Sequence, residues 1–289
     1  MDKRSIQGVY LPPAPHWVGD GFQVQQLIPG PKHLVKEVSP FLMLDYHPPM
    51  YYAPAAQQRG VGSHPHRGFE TVTLVFAGKL AHRDSAGNSG IIGAGDVQWM
   101  TAASGILHEE FHEKEFAAAG GVLHSVQLWV NLPARHKMAD PRYQTLLDAQ
   151  IGKVALDDKG SLMRVIAGEF QGIAGPALTW SPVTLLDARL QAGASFSLDL
   201  PADYTLNVLV IDGEVRLNGQ AAKLQELVVF AQDGQLLEIE AHSESQLLIL
   251  GGEPIREPVA SYGPFVMNSH AEILQAIEDF QSGRFGVLA

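Results

Sequence analysis

The 289-residue chain contains no cysteine. Disulfides, thiolate metal sites and cysteine nucleophiles are therefore excluded, while the redox compartment stays open. Positive charge is scarce as well, with 20 Lys and Arg against 31 Asp and Glu and a formal net charge of −11. That balance argues against a general nucleic-acid surface, which needs clustered Lys and Arg. No apolar run approaches the ~18 residues of a membrane span. Met1–Ser5 is polar and no apolar stretch follows it, so no secretory signal is visible. The default expectation is a soluble, cytoplasmic protein that touches neither membrane nor nucleic acid. Helical periodicity is missing too, from the start of the chain to about residue 132.

What is present is β-sheet in short pieces. The 29 glycines and 18 prolines punctuate the chain at close intervals, as in proteins made of many short strands. Phe22–Ile28 partly alternates, Phe41–Asp45 is a short apolar run, and Thr71–Phe76 is β-branched and aromatic before the Ala77-Gly78 turn. His124–Val130 alternates clearly and stops at Asn131-Leu132-Pro133. The second half is built alike. Thr205–Ile211 runs into Asp212-Gly213, a strong hairpin signal, and Asn218-Gly219 and Asp233-Gly234 mark further turns. The chain reads as all-β, two barrel or sandwich units joined near Pro133–Tyr143, one over 1–140 and one over 141–289. One helix is expected near the end, with Ser269 as its cap, Glu272 completing a capping box, and Ile273, Leu274, Ile277 and Phe280 as an apolar stripe before Gly283. Leu74–Gly78 can be laid over Leu209–Gly213, which suggests a duplication. On that alignment His64 and His66 fall on Asp199 and Pro201, so only the first copy carries ligand-type residues.

Those residues form two pairs. Ser63-His64-Pro65-His66 is followed some forty residues later by Gly105-Ile106-Leu107-His108-Glu109-Glu110. On a strand, positions i and i+2 share a face and stand roughly 6.6 Å apart. Two such strands facing each other inside a barrel would aim His64, His66, His108 and Glu110 at one point. Pro65 suits such a strand only at an edge or a strand start, because proline cannot donate to a ladder. Imidazole and carboxylate donors suit iron, manganese, copper, nickel, zinc or cobalt, and softness alone does not choose among them. Four protein ligands leave two positions of an octahedron open, unlike a closed structural zinc site.

The strings HPHRGFETVT, HRDSAGNSG, GDVQWMTA, SGILHEE, QLWVNLP and EPVASYGPFVMN resemble the pirin family, over a stretch from about Val18 to Gly286. The resemblance implies a bicupin, two cupin-type β-barrels with a short C-terminal helix. It also implies one mononuclear metal, Fe(II), in the first barrel, on His64, His66, His108 and Glu110. Glu70 stands where other cupins often have a ligand; in pirins the carboxylate comes from the second motif, which leaves Glu70 beside the site. Ala103 and Glu109 depart from the family, which often has Gly and Ser or Ala there. The function implied is that of a quercetin 2,3-dioxygenase-like enzyme, opening the heterocycle of a flavonol with O2, with Glu110 as the base for the 3-hydroxyl proton. The alternative is a regulatory protein whose iron redox state governs binding to a transcription factor or metabolic enzyme. A monomer is expected in either case.

Other residues carry two readings each. His82 and Asp84 either line the barrel or shape the loop Ser85–Gly90, and the loop is favoured. Trp99, Met100 and Trp129 either wall a pocket or fill the core, and the core is favoured. Gln98 and Gln127 are candidates to hydrogen-bond around the metal, and Arg67 is balanced between the site and a surface ion pair.

Overall fold

The computed structural model describes residues 2–28 and 36–288. The chain gathers into two compact units, each assembled from separated segments. One comprises Ala14–Gln26, Phe41–Asp148 and Ile255–Ala289; the other comprises Met1–Pro13, Leu27–Pro40 and Ala149–Pro254. A single boundary at residue 140 therefore does not describe the units: each end of the chain belongs to the unit built mainly from the opposite half. The reason lies in strand pairing. β1 (Ile6–Tyr10) pairs with Leu227–Phe230, and the C-terminal segment packs Phe265, Met267, Ile273 and Phe285 into one cluster with Leu107.

In the first unit the strands are β2 (His16–Val18), β3 (Phe22–Ile28), β4 (Phe41–Tyr52), β5 (Gly60–His66), β6 (Phe69–Ala77), β7 (Lys79–Asp84), β8 (Ser89–Gly93), β9 (Val97–Thr101), β10 (Ile106–His112), β11 (Gly121–Asn131) and β12 (Arg142–Leu146). They form a seven-stranded sheet in the order β12-β9-β6-β11-β4-β3-β2 and a four-stranded sheet in the order β5-β10-β7-β8. The other unit repeats this seven-plus-four plan. The fold is the expected all-β bicupin, a cupin-type barrel in each unit.

Two α-helices occur among the described residues. α1 (Lys114–Ala119) falls in the region that lacks helical periodicity. Its six residues are too few for a period of 3.6 to register, and it is held locally by Glu113, whose carboxylate accepts from the Glu115 and Phe116 amides at 2.9 and 3.0 Å. α2 (His270–Gln281) is the expected C-terminal helix, and Ser269 Oγ accepts from the Glu272 amide at 3.3 Å. Its buried face is Ile273, Ala276 and Asp279, however. Leu274 is 56% exposed. Asp279 is buried because it pairs with Arg67 at 2.8 Å, an ion pair that apolar periodicity does not reveal. Arg67 is thus neither a surface residue nor a site residue: its Nε donates to the Ser104 carbonyl at 2.6 Å and its guanidinium lies over the Phe285 ring. Among the described residues no helix is long and apolar enough to cross a membrane.

Candidate metal centre

β5 and β10 are hydrogen-bonded neighbours in the four-stranded sheet, not strands on opposite walls. His108 lies directly across from His64, and Ile106 across from His66. Cross-strand neighbours stand ~5 Å apart, so the rings converge without bridging the barrel. Ring centroids are 4.2 Å apart for His64–His108, 4.8 Å for His66–His108 and 4.9 Å for His64–His66. A register shift between His108 and Glu110 places Glu110 opposite Val61. Pro65 does not break the strand, because β5 is the sheet's edge and proline needs to donate nothing there.

The ligand-type atoms form two overlapping groups, each within 4.8 Å: His64, His66 and His108, then His82, His108 and Glu110. His82 is the residue that the sequence assigns to a loop. It sits on β7 beside β10, opposite Glu110, buried and stacked on Tyr143 with ring centroids 4.7 Å apart. Asp84 does shape the loop, since Oδ1 accepts from the Ala86 and Asn88 amides at 2.9 and 3.0 Å. Its Oδ2 meets His82 Nε2 at 3.3 Å. The signal for His82 is the spacing His82-Arg83-Asp84, the same i, i+2 pattern as the other two pairs.

The hydrogen bonds determine where the imidazole protons lie. The Gln98 amide nitrogen donates to Glu110 Oε1 at 3.2 Å and faces His82 Nδ1 at 3.4 Å. An amide nitrogen only donates, so His82 Nδ1 accepts and the proton sits on Nε2, directed at Asp84. His108 Nδ1, 3.4 Å from His82 Nδ1, must then be the donor. This leaves His108 Nε2 as a bare lone pair, buried and without a partner among the described residues. His64 Nδ1 donates to the Gly62 carbonyl at 2.8 Å, which likewise leaves its Nε2 bare. His66 Nδ1 is also buried and unpartnered among the described residues. Burial, reinforced by the neighbouring imidazoles, holds His66 and His108 well below the usual histidine range. Neutral rings with orphaned lone pairs and an outer hydrogen bond are what a divalent metal requires; the donor set fits one.

Glu110 is held from three sides. Gln127 Nε2 donates to Oε2 at 2.9 Å, and Gln98 Nε2 and Thr73 Oγ1 approach Oε1 at 3.2 and 3.4 Å. Gln98 and Gln127 thus serve the carboxylate directly. Trp129 lies 5.3 Å from the His66 ring and 4.2 Å from Phe69. Trp99 and Met100 are fully buried core residues. Glu70 lies outside both ligand groups; it accepts from Thr101 at 2.6 Å, and burial pushes its carboxyl up to about 7. Glu109 points away and pairs with Arg83 across the strands. A cavity of about 390 Å³ opens onto His64, His66 and Glu110 and runs between Phe22, Val24, Met43, Leu80 and Trp129.

Residues 21–130 match the family model described as Pirin, and residues 185–286 match that of the Pirin C-terminal cupin domain. A Pseudomonas aeruginosa protein provisionally named a quercetin 2,3-dioxygenase is 52% identical, over 98% of each chain. Human pirin is 38% identical over 93% of this chain and 89% of its own. The crystal structure of a quercetin 2,3-dioxygenase from Acinetobacter baumannii superposes with a TM-score of 0.95 at 45% identity, covering 99% of both chains.

Proposed function

The chain belongs to the pirin family, and on that premise we propose that it is an iron-dependent dioxygenase that opens the heterocycle of a flavonol with O2 and releases carbon monoxide. The observation that carries this reading is the cavity opening onto His64, His66 and Glu110, with His108 grouped behind them. A structural metal site would be closed; this one adjoins a space for a small molecule. His64, His66, His108 and Glu110 would hold the metal. When bound, iron supplies Lewis acidity and a redox partner for dioxygen.

The protein's own contribution is binding, orientation and a proton acceptor. Phe22, Val24, Met43 and Trp129 offer apolar walls that suit a flat aromatic substrate and displace water from it. Glu110 lines the cavity beside His64 and His66, and it would take the 3-hydroxyl proton of a flavonol bound there. Gln127, Gln98 and Thr73 fix the direction of its carboxylate. Holding an acid–base group in the reacting geometry is worth ~10²–10⁴-fold in rate.

Glu110→Gln tests the role. The variant keeps the shape and an oxygen donor but loses the basicity. At equal iron content, turnover of a flavonol per bound iron should fall at least ~10²-fold while flavonol binding persists. Wild-type turnover in the variant would remove Glu110 as the base. No carbon monoxide from either protein, with binding to a partner protein that follows the iron oxidation state, would replace the enzyme with the regulatory reading.

A further inference from the structure

The larger sheet of the metal-site barrel carries one row of polar side chains across five strands. Thr73 pairs with Gln98 on one side and with Gln127 on the other, and Gln127 pairs with Asp45. Gln26 continues the row, its Nε2 donating to Asp45 Oδ1 at 3.1 Å. In the other barrel the strands in the same places carry Val228, Val208, Ile249, Leu186 and Val165, in the same register and all in the apolar core. A row that is apolar where the barrel is filled is polar where it encloses a cavity.

Three members of the polar row, Gln98, Thr73 and Gln127, are spent on Glu110. Asp45 is not. It is 7% exposed, it lines the cavity, and the hydrogen bond that it accepts from Gln26 engages Oδ1. A carboxylate on a cavity wall has acceptor capacity beyond one hydrogen bond, which a ligand in the cavity can use. We infer that Asp45, positioned by Gln26, is a second binding point of the cavity, which accepts a hydrogen bond from a ligand hydroxyl remote from the metal-binding oxygens. The inference rests on the reading of the cavity as an aromatic substrate site and adds the polarity that its far wall selects.

The surroundings define the ligand. Gln127, which donates to Glu110, is the cross-strand neighbour of Asp45, and both carboxylates line the same cavity. The apolar walls beside this acceptor favour a neutral aromatic hydroxyl over a hydrated cation. Burial, opposed by the Gln26 hydrogen bond and by His16, pushes the Asp45 carboxyl up to about 6, so at neutral pH it is predominantly an acceptor.

The test is anaerobic binding to the iron-loaded protein, followed by fluorescence, of 3-hydroxyflavone, 3,7-dihydroxyflavone and 3,4′-dihydroxyflavone. At least one dihydroxy ligand should bind ~10-fold or more tightly than 3-hydroxyflavone, the worth of a hydrogen bond to a charged group. In Asp45→Asn the Gln26 amide holds the Asn oxygen and turns Nδ2, a donor, toward the ligand. The advantage should disappear there while 3-hydroxyflavone binds as before, which also reports a folded cavity. Asp45→Ser removes the carboxylate by a second route and should give the same result. Equal affinity for all three ligands in the wild type, or an advantage that survives in both variants, overturns the inference alone. Failure of every flavonol to bind overturns it together with the proposed function. Hydroxyl-dependent binding without turnover leaves Asp45 in its role and removes only the dioxygenase.

Discussion

The two barrels share a strand plan and differ in what they place inside. In the strand order of the smaller sheets, β5 and β10 correspond to Ser195–Asp199 and Leu236–Ala241. The first pair presents His64, His66, His108 and Glu110; the second presents Leu198, Leu237, Ile239 and Ala241 to a continuous apolar cluster. Asp199 is exposed at its strand's end and Pro201 is exposed just beyond it. The difference shows how a cupin frame divides labour. An apolar interior contributes burial energy, ~25 cal/mol per Å², and a polar interior gives up part of that for a site. The interior cluster of the filled barrel is apolar, whereas the other barrel holds the buried His66 Nδ1 and His108 Nε2 without a hydrogen-bond partner among the described residues.

The comparison breaks most directly at the metal. His66→Ala should reduce metal content, measured by elemental analysis, from one per chain to nearly none. Two metals per chain in the wild type, or full occupancy in the variant, would end the one-site description. Stability should divide the other way. Leu186, in the filled barrel, stands where Asp45 stands in the other, and Leu186→Ala leaves a cavity in a packed core. We expect a loss of ~2–5 kcal/mol in urea unfolding, with metal content retained.

A smaller effect isolates the cost of polarity inside the site barrel. Burial raises the Glu70 carboxyl from the ordinary carboxylate range to about 7. A group with a raised folded pKa stabilises the fold at low pH, and that contribution is lost as pH climbs through about 7. Glu70→Gln has no such loss. Its unfolding temperature relative to wild type should therefore rise between about pH 5 and about pH 8; a constant difference would show that Glu70 does not titrate in this window. Least of all is expected from Ala103, which has φ 40 in the left-handed region. Ala103→Gly should stabilise by up to about 1 kcal/mol, seen as a higher urea midpoint, because only glycine adopts that backbone without strain.

That last position shows how much a departure from a family pattern can carry. Ala103 stands where pirins often have glycine, and the backbone there is the kind that favours glycine. Much of the site is similarly open to reading. The pairs His64/His66 and His108/Glu110 are visible because a strand repeats every two residues, and the C-terminal helix is visible in Ser269 and Glu272. His82 escapes although its spacing to Asp84 is the same, because the glycine-rich loop that follows is the stronger local signal. Arg67 and Asp279 lie more than two hundred residues apart, and nothing local announces that they pair.

The sequence by itself determined the all-β class, the imbalance of ligand residues between the halves, and which side chains share a strand face. These are short-range properties, set by side-chain alternation and turn chemistry within a few residues. Only the tertiary structure decided that β5 lies beside β10, that His82 backs His108, and that Gln98, Thr73, Gln127, Asp45 and Gln26 form one row. It also decided that each chain end joins the unit built mainly from the other half. Strand order and register are agreements between distant segments, made by hydrogen bonds and packing that no single stretch of chain contains.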